Sequence, residues 1–149
     1  MNFTMPPVSA GFNIRAGWYA RNLGHDLGLI DIHGAAIAGV AGAESGLQAI
    51  QEHHPISGRG GFGWHQWTGD RRNALEAFAA SLDVANYLFL IHELQTSQAH
   101  ALERLKQTKT IEAATFTFIS QFERPSDAQT ELARALPLAR LALSGLNRV

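Results

Sequence analysis

The segment that most constrains the fold is a run of small residues at positions 31–46, where alanine and glycine predominate. On a helix, Ile37, Val40 and Glu44 share one face, and so slim a helix belongs in a core where neighbouring backbones approach closely. Glu44 would then project from a buried face, where a negative charge is costly. Apolar surroundings raise the pKa of a carboxyl, as a general acid requires. The alternative is a frayed helix end with Glu44 turned to water.

The bulk properties limit the class of protein. The chain has 149 residues, 46% of them hydrophobic, which predicts one domain with a substantial core across residues 1–149. A net charge of −1 argues against nucleic-acid partners, and the lack of cysteine excludes disulfides and thiolate chemistry. No apolar stretch reaches the roughly 18 residues of a membrane span, and no export signal is visible at the start. We expect a soluble monomer without stable membrane insertion.

Apolar stripes and breaker residues predict a mainly α (α+β) fold. Helices are expected over roughly 9–28, 31–44, 70–82, 83–94, 111–124 and from 126 onward. Residues 47–68 combine glycine, proline and aromatic residues without a helical stripe, so we expect a small β-hairpin lobe there. Pro137 should kink the last helix or split it in two. The predicted architecture is a central buried helix ending at Glu44, this lobe, and a helical C-terminal lobe.

A second carboxylate and several aromatic rings follow Glu44. Glu52, Phe62, Trp64 and Trp67 all lie in the glycine-rich lobe. Glycosidic bond cleavage commonly takes one protonated carboxylic acid and a second group that stabilises the cation or directs water. Aromatic rings present flat apolar faces to sugar C–H groups. The pattern indicates a carbohydrate site, whereas the alternatives are core packing for the tryptophans and a solvated loop charge for Glu52.

These residues also carry a resemblance to a known family. Residues 43–47 (Ala-Glu-Ser-Gly-Leu) and 60–72 (Gly-Gly-Phe-Gly-Trp-His-Gln-Trp-Thr-Gly-Asp-Arg-Arg), with Phe-Leu-x-x-Glu-Leu at 89–94 and Phe-Glu-Arg-Pro at 122–125, resemble phage tail lysozymes and related phage endolysins of the lysozyme-like superfamily. The resemblance spans roughly residues 30–125. It implies that Glu44 is the catalytic acid and that Gln66 lines the sugar cleft.

The partner of Glu44 is less well defined. Some phage lysozymes of this superfamily place an aspartate nine residues after the acid and a threonine six further on, where this chain has His53 and Arg59. Glu52 is the nearest acidic candidate, and Thr68 or Gln66 is the alternative, orienting a water. Carboxyl groups about 5 Å apart would predict retention of configuration, and about 6.5 to 9.5 Å would predict inversion.

Two further positions have both a site and a packing interpretation. Tyr87 is a candidate because transglycosylase relatives often bring a tyrosine hydroxyl near the acid, and a core position is the alternative. At least one of Arg71 and Arg72, which open a helix where cations are poorly placed, should pair with Glu93 or Glu123.

The resemblance implies an enzyme that cleaves the β-1,4 bond between N-acetylmuramic acid and N-acetylglucosamine in bacterial peptidoglycan, without a cofactor. A lytic transglycosylase acting on the same bond is the alternative. Other classes are a zinc amidase using His53, His54, His65 and Glu52, for which ligand motifs are lacking, and a non-catalytic glycan-binding virion protein. We expect an endolysin of the host cytoplasm that reaches the periplasm at lysis, or a virion-associated enzyme. The final helix should pack on the core, with contact to an outer membrane as the alternative.

Overall fold

The computed structural model describes residues 3–56, 58–78 and 82–149, and these residues are mostly helical. A 3-10 turn, Val8–Ala10, precedes the first α-helix, and a π-helical segment, Ile119–Glu123, continues the sixth. Within the described residues the α-helices are α1 (Phe12–Leu27), α2 (Asp31–Ser45), α3 (Gly69–Glu76), α4 (Asp83–Gln95), α5 (Ala99–Lys106), α6 (Ile111–Phe118) and α7 (Ala128–Leu146). The chain is therefore mainly α, as predicted.

Helix α2 lies at the centre of the fold. It packs against α1, α6 and, most extensively, α7, and its residues from His33 to Ala41 are all buried. Glycine inside a helix costs up to about 1 kcal/mol relative to alanine, yet here the missing side chain is used for packing. A Cβ atom added at Gly39 would lie 2.4 Å from the Cα atom of Ala139 on α7. The small residues of α2 thus set how closely α7 approaches the end that carries Glu44.

The helix boundaries differ locally from the predictions. Helix α2 begins at Asp31, whose charge lies in the first turn, where it complements the helix dipole. Thr110 caps α6, since its hydroxyl accepts a hydrogen bond from the backbone N–H of Ala113 at 3.1 Å. Helix α5 has no predicted counterpart because it is eight residues long and buries only Ala101 and Leu105.

The predicted helix over 70–82 ends earlier, at Glu76. Phe78 is exposed and packs edge-on against Phe89, outside the helix. Ala79, which falls inside the predicted helix, lies outside the described residues. The start of the predicted helix is therefore a short helix followed by a turn.

Pro137 does not split the last helix. Helix α7 runs without interruption from Ala128 to Leu146 with Pro137 inside it. Proline removes the hydrogen bond to the carbonyl four residues earlier, which belongs to Ala133. Both Pro137 and Ala133 are exposed, so that carbonyl is on the solvated side of the helix. The buried face, formed by Ala135, Ala139 and Ala142, packs on the core as expected.

In the described residues between α2 and α3, the predicted hairpin strands are not formed. Among the described residues of this segment, two isolated antiparallel bridges join Phe62 to Gln51 and to Trp67. Positive φ angles at Gly60, Gly63 and Gln66 interrupt the extended backbone that a ladder needs. The segment is consequently an irregular loop held by single bridges. No described helix is long and apolar enough to cross a bilayer.

Candidate active site

Glu44 lies in the last turn of α2, where the chain reverses sharply. Gly46 adopts a left-handed conformation with φ of 67°, and its N–H bonds to the carbonyls of Ala41 and Gly42. Leu47 follows with φ of 60°, which is unusual for a residue with a side chain. The guanidinium of Arg15, itself buried, donates to the Leu47 carbonyl at 2.7 Å. The turn that follows Glu44 is thus fixed by a side chain from α1.

A cleft of about 260 Å³ opens beside this turn. Glu44 lines it from the end of α2, while Glu52 and Gln66 line it from the loop. Its other lining residues are Ala43, Ser45, Gly46, Ile50, Gln51 and His53. The structure therefore brings together three of the residues singled out from the sequence.

Hydrogen bonds to the backbone fix the loop side of the cleft. The Gln66 amide donates to the carbonyls of Ile50, at 3.0 Å, and Gly63, at 2.9 Å. Glu52 and Gly61 are doubly linked, because the Glu52 carboxylate accepts from the Gly61 N–H at 2.9 Å and the Gly61 carbonyl accepts from the Glu52 N–H at 2.8 Å. These bonds leave the side-chain amide oxygen of Gln66 and the second carboxylate oxygen of Glu52 available to a ligand in the cleft.

Two further carboxyl groups lie near Glu44. They belong to Glu123, at the end of the π-helical segment, and to Glu131, which is buried on α7. Burial, the negative charges of Glu123 and Glu131, and a hydrogen bond to the Glu131 carboxyl raise the pKa of Glu44 to about 9, while Arg134 opposes the shift. The surroundings of Glu44 thus favour its protonated form, and Glu44 also lines the cleft. The direction of this pKa shift is the one expected from the sequence.

A chain of buried hydrogen bonds runs behind the cleft. His65 Nδ1 lies 2.8 Å from the Glu123 carboxyl, and Nε2 lies 2.9 Å from the Tyr19 hydroxyl. Burial and the nearby charge of Arg71 lower the pKa of His65 to about 3, so the ring is neutral. Burial also raises the pKa of Glu123 to about 8. Both ring nitrogens of the neutral imidazole are thus engaged, one by Glu123 and the other by Tyr19.

Three aromatic candidates lie in the core and not at the cleft. Trp64 is fully buried, and its indole N–H donates to Asp83 at 3.0 Å. Trp67 is 3% exposed and donates to Glu93 at 2.7 Å. Tyr87 is fully buried and donates to Asp26 at 2.6 Å, with neither atom near the cleft lining. Their positions match the packing interpretation of each ring.

Phe62 and Thr68 also lie outside the cleft lining. Phe62 is half-buried beneath the guanidinium of Arg72, which lies 5.4 Å from the ring centroid. Thr68 is exposed and lines a separate cavity of about 490 Å³ together with Arg72 and Asn73. The structure therefore separates Thr68 from Glu44.

Arg71 forms the ion pair expected from its place in the first turn of a helix. It binds Glu93 through two hydrogen bonds of 2.8 Å and donates to the Phe122 carbonyl at 3.1 Å. Its guanidinium also lies 4.5 Å from the Phe122 ring centroid. This pair ties α3 to α4 and to the π-helical segment.

The histidines of the loop are dispersed. His53 and His54 are exposed, whereas His65 is buried with both ring nitrogens hydrogen-bonded. Within the described residues, no group of three or more histidine, aspartate or glutamate side chains is arranged to hold a metal ion.

A comparison with protein families identifies the chain. A family model described as phage tail lysozyme matches residues 18–143, which include α2, the cleft loop and most of α7. The chain belongs to the phage tail lysozyme family. Membership points to a lysozyme-like enzyme that acts on peptidoglycan. No curated protein matches the chain.

The phage tail lysozyme match covers two residues that sequence analysis did not assign to the site, Glu131 and Arg134. Arg134 donates to Glu131 at 3.1 Å and to the Ala43 carbonyl at 2.7 Å. The sequence signal that could have identified Glu131 is its helical spacing, since it precedes Ala135 and Ala139 on one buried face of α7. A carboxyl group on an apolar helix face is also the pattern that singled out Glu44.

Proposed function

We propose that this member of the phage tail lysozyme family is a muramidase, which hydrolyses the β-1,4 bond between N-acetylmuramic acid and N-acetylglucosamine. The observation that carries the proposal is the half-buried carboxyl group of Glu44, which lines the cleft from the end of α2 and lies among other carboxyl groups. Burial and neighbouring negative charges raise the pKa of Glu44 to about 9. Glu44 therefore donates its proton to the leaving glycosidic oxygen as the general acid.

A second group must act on the other side of the scissile bond. Glu52 is our choice, because its carboxylate lines the same cleft and one of its oxygens is fixed by the Gly61 N–H. It stabilises the positive charge that develops on the sugar or removes a proton from the attacking water. Gln66 contributes its amide oxygen, which is oriented by the two bonds made through its nitrogen. Thr68 has no part in this proposal, since it lines a different cavity.

The biological setting forms part of the proposal. The family match supports peptidoglycan as the partner, and bacterial cell-wall lysis as the outcome. We propose action at the end of infection, after release from the host cytoplasm into the periplasm, or action from the virion. A lysis assay with and without an outer-membrane permeabiliser, together with analysis of purified virions for the protein, separates these settings.

Mass spectrometry of digested peptidoglycan tests the reaction. The proposal predicts disaccharide products with a reducing-end muramic acid. A 1,6-anhydro-muramic acid product would instead indicate that the enzyme is a lytic transglycosylase, with Glu44 still the general acid. Release of stem peptides that is abolished by a chelator and restored by zinc would favour an amidase. Binding without cleavage would favour a non-catalytic module.

A further inference from the structure

Glu131 is a buried charged residue that the proposed reaction does not use. It is 8% exposed and lies on the face of α7 that packs against α2. One carboxylate oxygen accepts from Arg134 at 3.1 Å. The other, Oε1, is buried and has no hydrogen-bond donor among the described residues. A buried carboxylate oxygen without a hydrogen-bond donor costs free energy, so we expect a donor for Glu131 Oε1 nearby.

Glu44 is the neighbouring group that can supply that partner. A hydrogen bond to the Glu131 carboxyl is one of the causes that raise the pKa of Glu44, and Arg134, which binds Glu131, also donates to the backbone carbonyl beside Glu44. Two ionised carboxylates cannot bond to each other because both only accept, so contact requires one proton between them. A proton on Glu44 satisfies Glu131 Oε1 and leaves the charge of Glu131 paired with Arg134.

Arg134 fixes this arrangement. Its Nη2 atom donates to the carbonyl of Ala43, the residue before Glu44, at 2.7 Å, while Nη1 holds Glu131. One guanidinium thereby joins the carboxylate of α7 to the last turn of α2. The close contact of Gly39 with Ala139 one turn earlier on α2 brings the two helices within reach. The geometry is built from three independent contacts between α2 and α7.

We propose that Glu131 is a positioning residue that holds the catalytic proton on Glu44. This inference rests on the proposed function, in which Glu44 is the general acid. Glu131 does not line the cleft, so it acts through Glu44 and not on the sugar. After Glu44 gives its proton to the leaving oxygen, two carboxylates face each other, and their repulsion favours renewed proton uptake by Glu44 from water before the next turnover.

The other charged groups around Glu44 have separate roles. Glu123 faces it from the π-helical segment but is engaged by His65. Glu52 faces it across the cleft and is engaged by Gly61, and exposed His53 lines the same cleft. Arg134 favours the ionised form of Glu44 and so opposes Glu131. Glu131 is the member of this set that has a buried oxygen without a donor and that raises the pKa of Glu44 through a hydrogen bond as well as through its charge.

Carboxyl 13C NMR with labelled glutamate tests the proposal on the full chain, without substrate. In the wild type, the Glu44 resonance should titrate with an apparent pKa of about 9. Glu131→Gln removes the charge but keeps the shape, and should lower the apparent pKa of Glu44 by about one pH unit or more. An unchanged Glu44 titration in the variant would overturn the proposal.

A control and an activity profile separate this idea from the proposed function. Glu103→Gln removes one exposed charge from α5 and should leave the Glu44 titration unchanged. In peptidoglycan cleavage, Glu131→Gln should move the alkaline limb of the pH profile towards lower pH, while thermal unfolding confirms that the variant folds. If the wild type cleaves no glycan but Glu131→Gln lowers the apparent pKa of Glu44, the proposed function fails and the role of Glu131 stands. If cleavage is normal and the Glu44 titration is unchanged in the variant, only the role of Glu131 fails.

Discussion

The Nδ1 atom of His65 lies 2.8 Å from the Glu123 carboxyl, and this contact joins the cleft loop to the segment that follows α6. The opposite ring nitrogen reaches Tyr19 on α1 at 2.9 Å. One neutral imidazole therefore connects three parts of the fold behind Glu44. Since Tyr19 and His65 are buried and the Glu123 side chain is 11% exposed, the network is sensitive to any change in protonation.

The buried imidazole of His65 predicts a loss of stability in acid. Its pKa is lowered to about 3 in the fold but is near 6.5 when unfolded, so the unfolded state binds the extra proton between these values. The free energy of unfolding should fall as pH drops from about 6.5 towards 3. His65→Gln should cost roughly 1–3 kcal/mol at pH 7 and weaken this decline. Exposed His54→Gln is the control, and an equal decline in both variants would contradict the account.

Glu44 and Glu123 predict the opposite trend in base. Their pKa values are raised to about 9 and about 8, chiefly by burial, so they stay protonated in the fold while the unfolded chain ionises above about 4.5. The free energy of unfolding should therefore fall as pH rises from about 5 to 9. Glu44→Gln, which cannot ionise, should gain roughly 1–3 kcal/mol over the wild type at the alkaline end. Denaturant titrations at several pH values measure both slopes, and parallel slopes would refute the prediction.

The approach of Gly61 to Gln66 predicts a defect confined to the cleft. A Cβ atom at Gly61 would lie 2.8 Å from the Cβ atom and the carbonyl oxygen of Gln66. Gly61→Ala should displace Gln66 and reduce kcat/KM for peptidoglycan by about tenfold or more, since small misplacements of positioning groups are costly. Gly58→Ala is the matched control in the same loop, because nothing lies within 4 Å of its added Cβ atom. It should retain activity despite the strain of its positive φ. Equal activity of both variants would contradict the placement of Gln66.

Two ion pairs of opposite burial allow a matched test of stability. Glu93 is 3% exposed and binds both Arg71 and the indole of Trp67. Glu93→Ala removes the carboxylate that pairs with the Arg71 charge and accepts from the Trp67 indole N–H, and should cost about 3–5 kcal/mol in the free energy of unfolding. Glu112 is exposed and solvent screens its pair with Arg140, so Glu112→Ala should cost far less stability than Glu93→Ala. Comparable losses in the free energy of unfolding for Glu93→Ala and Glu112→Ala would contradict the prediction that the buried ion pair contributes more than the exposed one.

The sequence predicted the helical fold and the position of Glu44 at the end of a buried helix, because both depend on the periodicity of apolar residues. Apolar spacing and small residues located α2 and placed a carboxyl at its end. The cleft loop was harder, since its shape depends on single bridges and on the positive φ of Gln66, which local patterns do not encode. Trp64 and Tyr87 carry the same sequence signal whether they bind sugar or fill a core. Their hydrogen bonds to distant aspartates show the difference.

The acids behind Glu44 were missed for a different reason. Glu131 is separated from Glu44 by most of the chain and meets it only because α7 packs along α2. Its own buried face was visible as a helical stripe, but a stripe does not reveal which helix it contacts. Long-range pairing of this kind requires the packed structure.

The central claim is that Glu44 donates the proton that breaks the glycan. Muropeptide release from purified peptidoglycan, measured for the wild type and for Glu44→Gln at matched protein concentration, tests it most directly. The amide keeps the shape and cannot deliver a proton, so release should fall by about 100- to 10,000-fold. Thermal unfolding of the variant should show an intact fold. Wild-type rates of release by a folded Glu44→Gln protein would contradict the account.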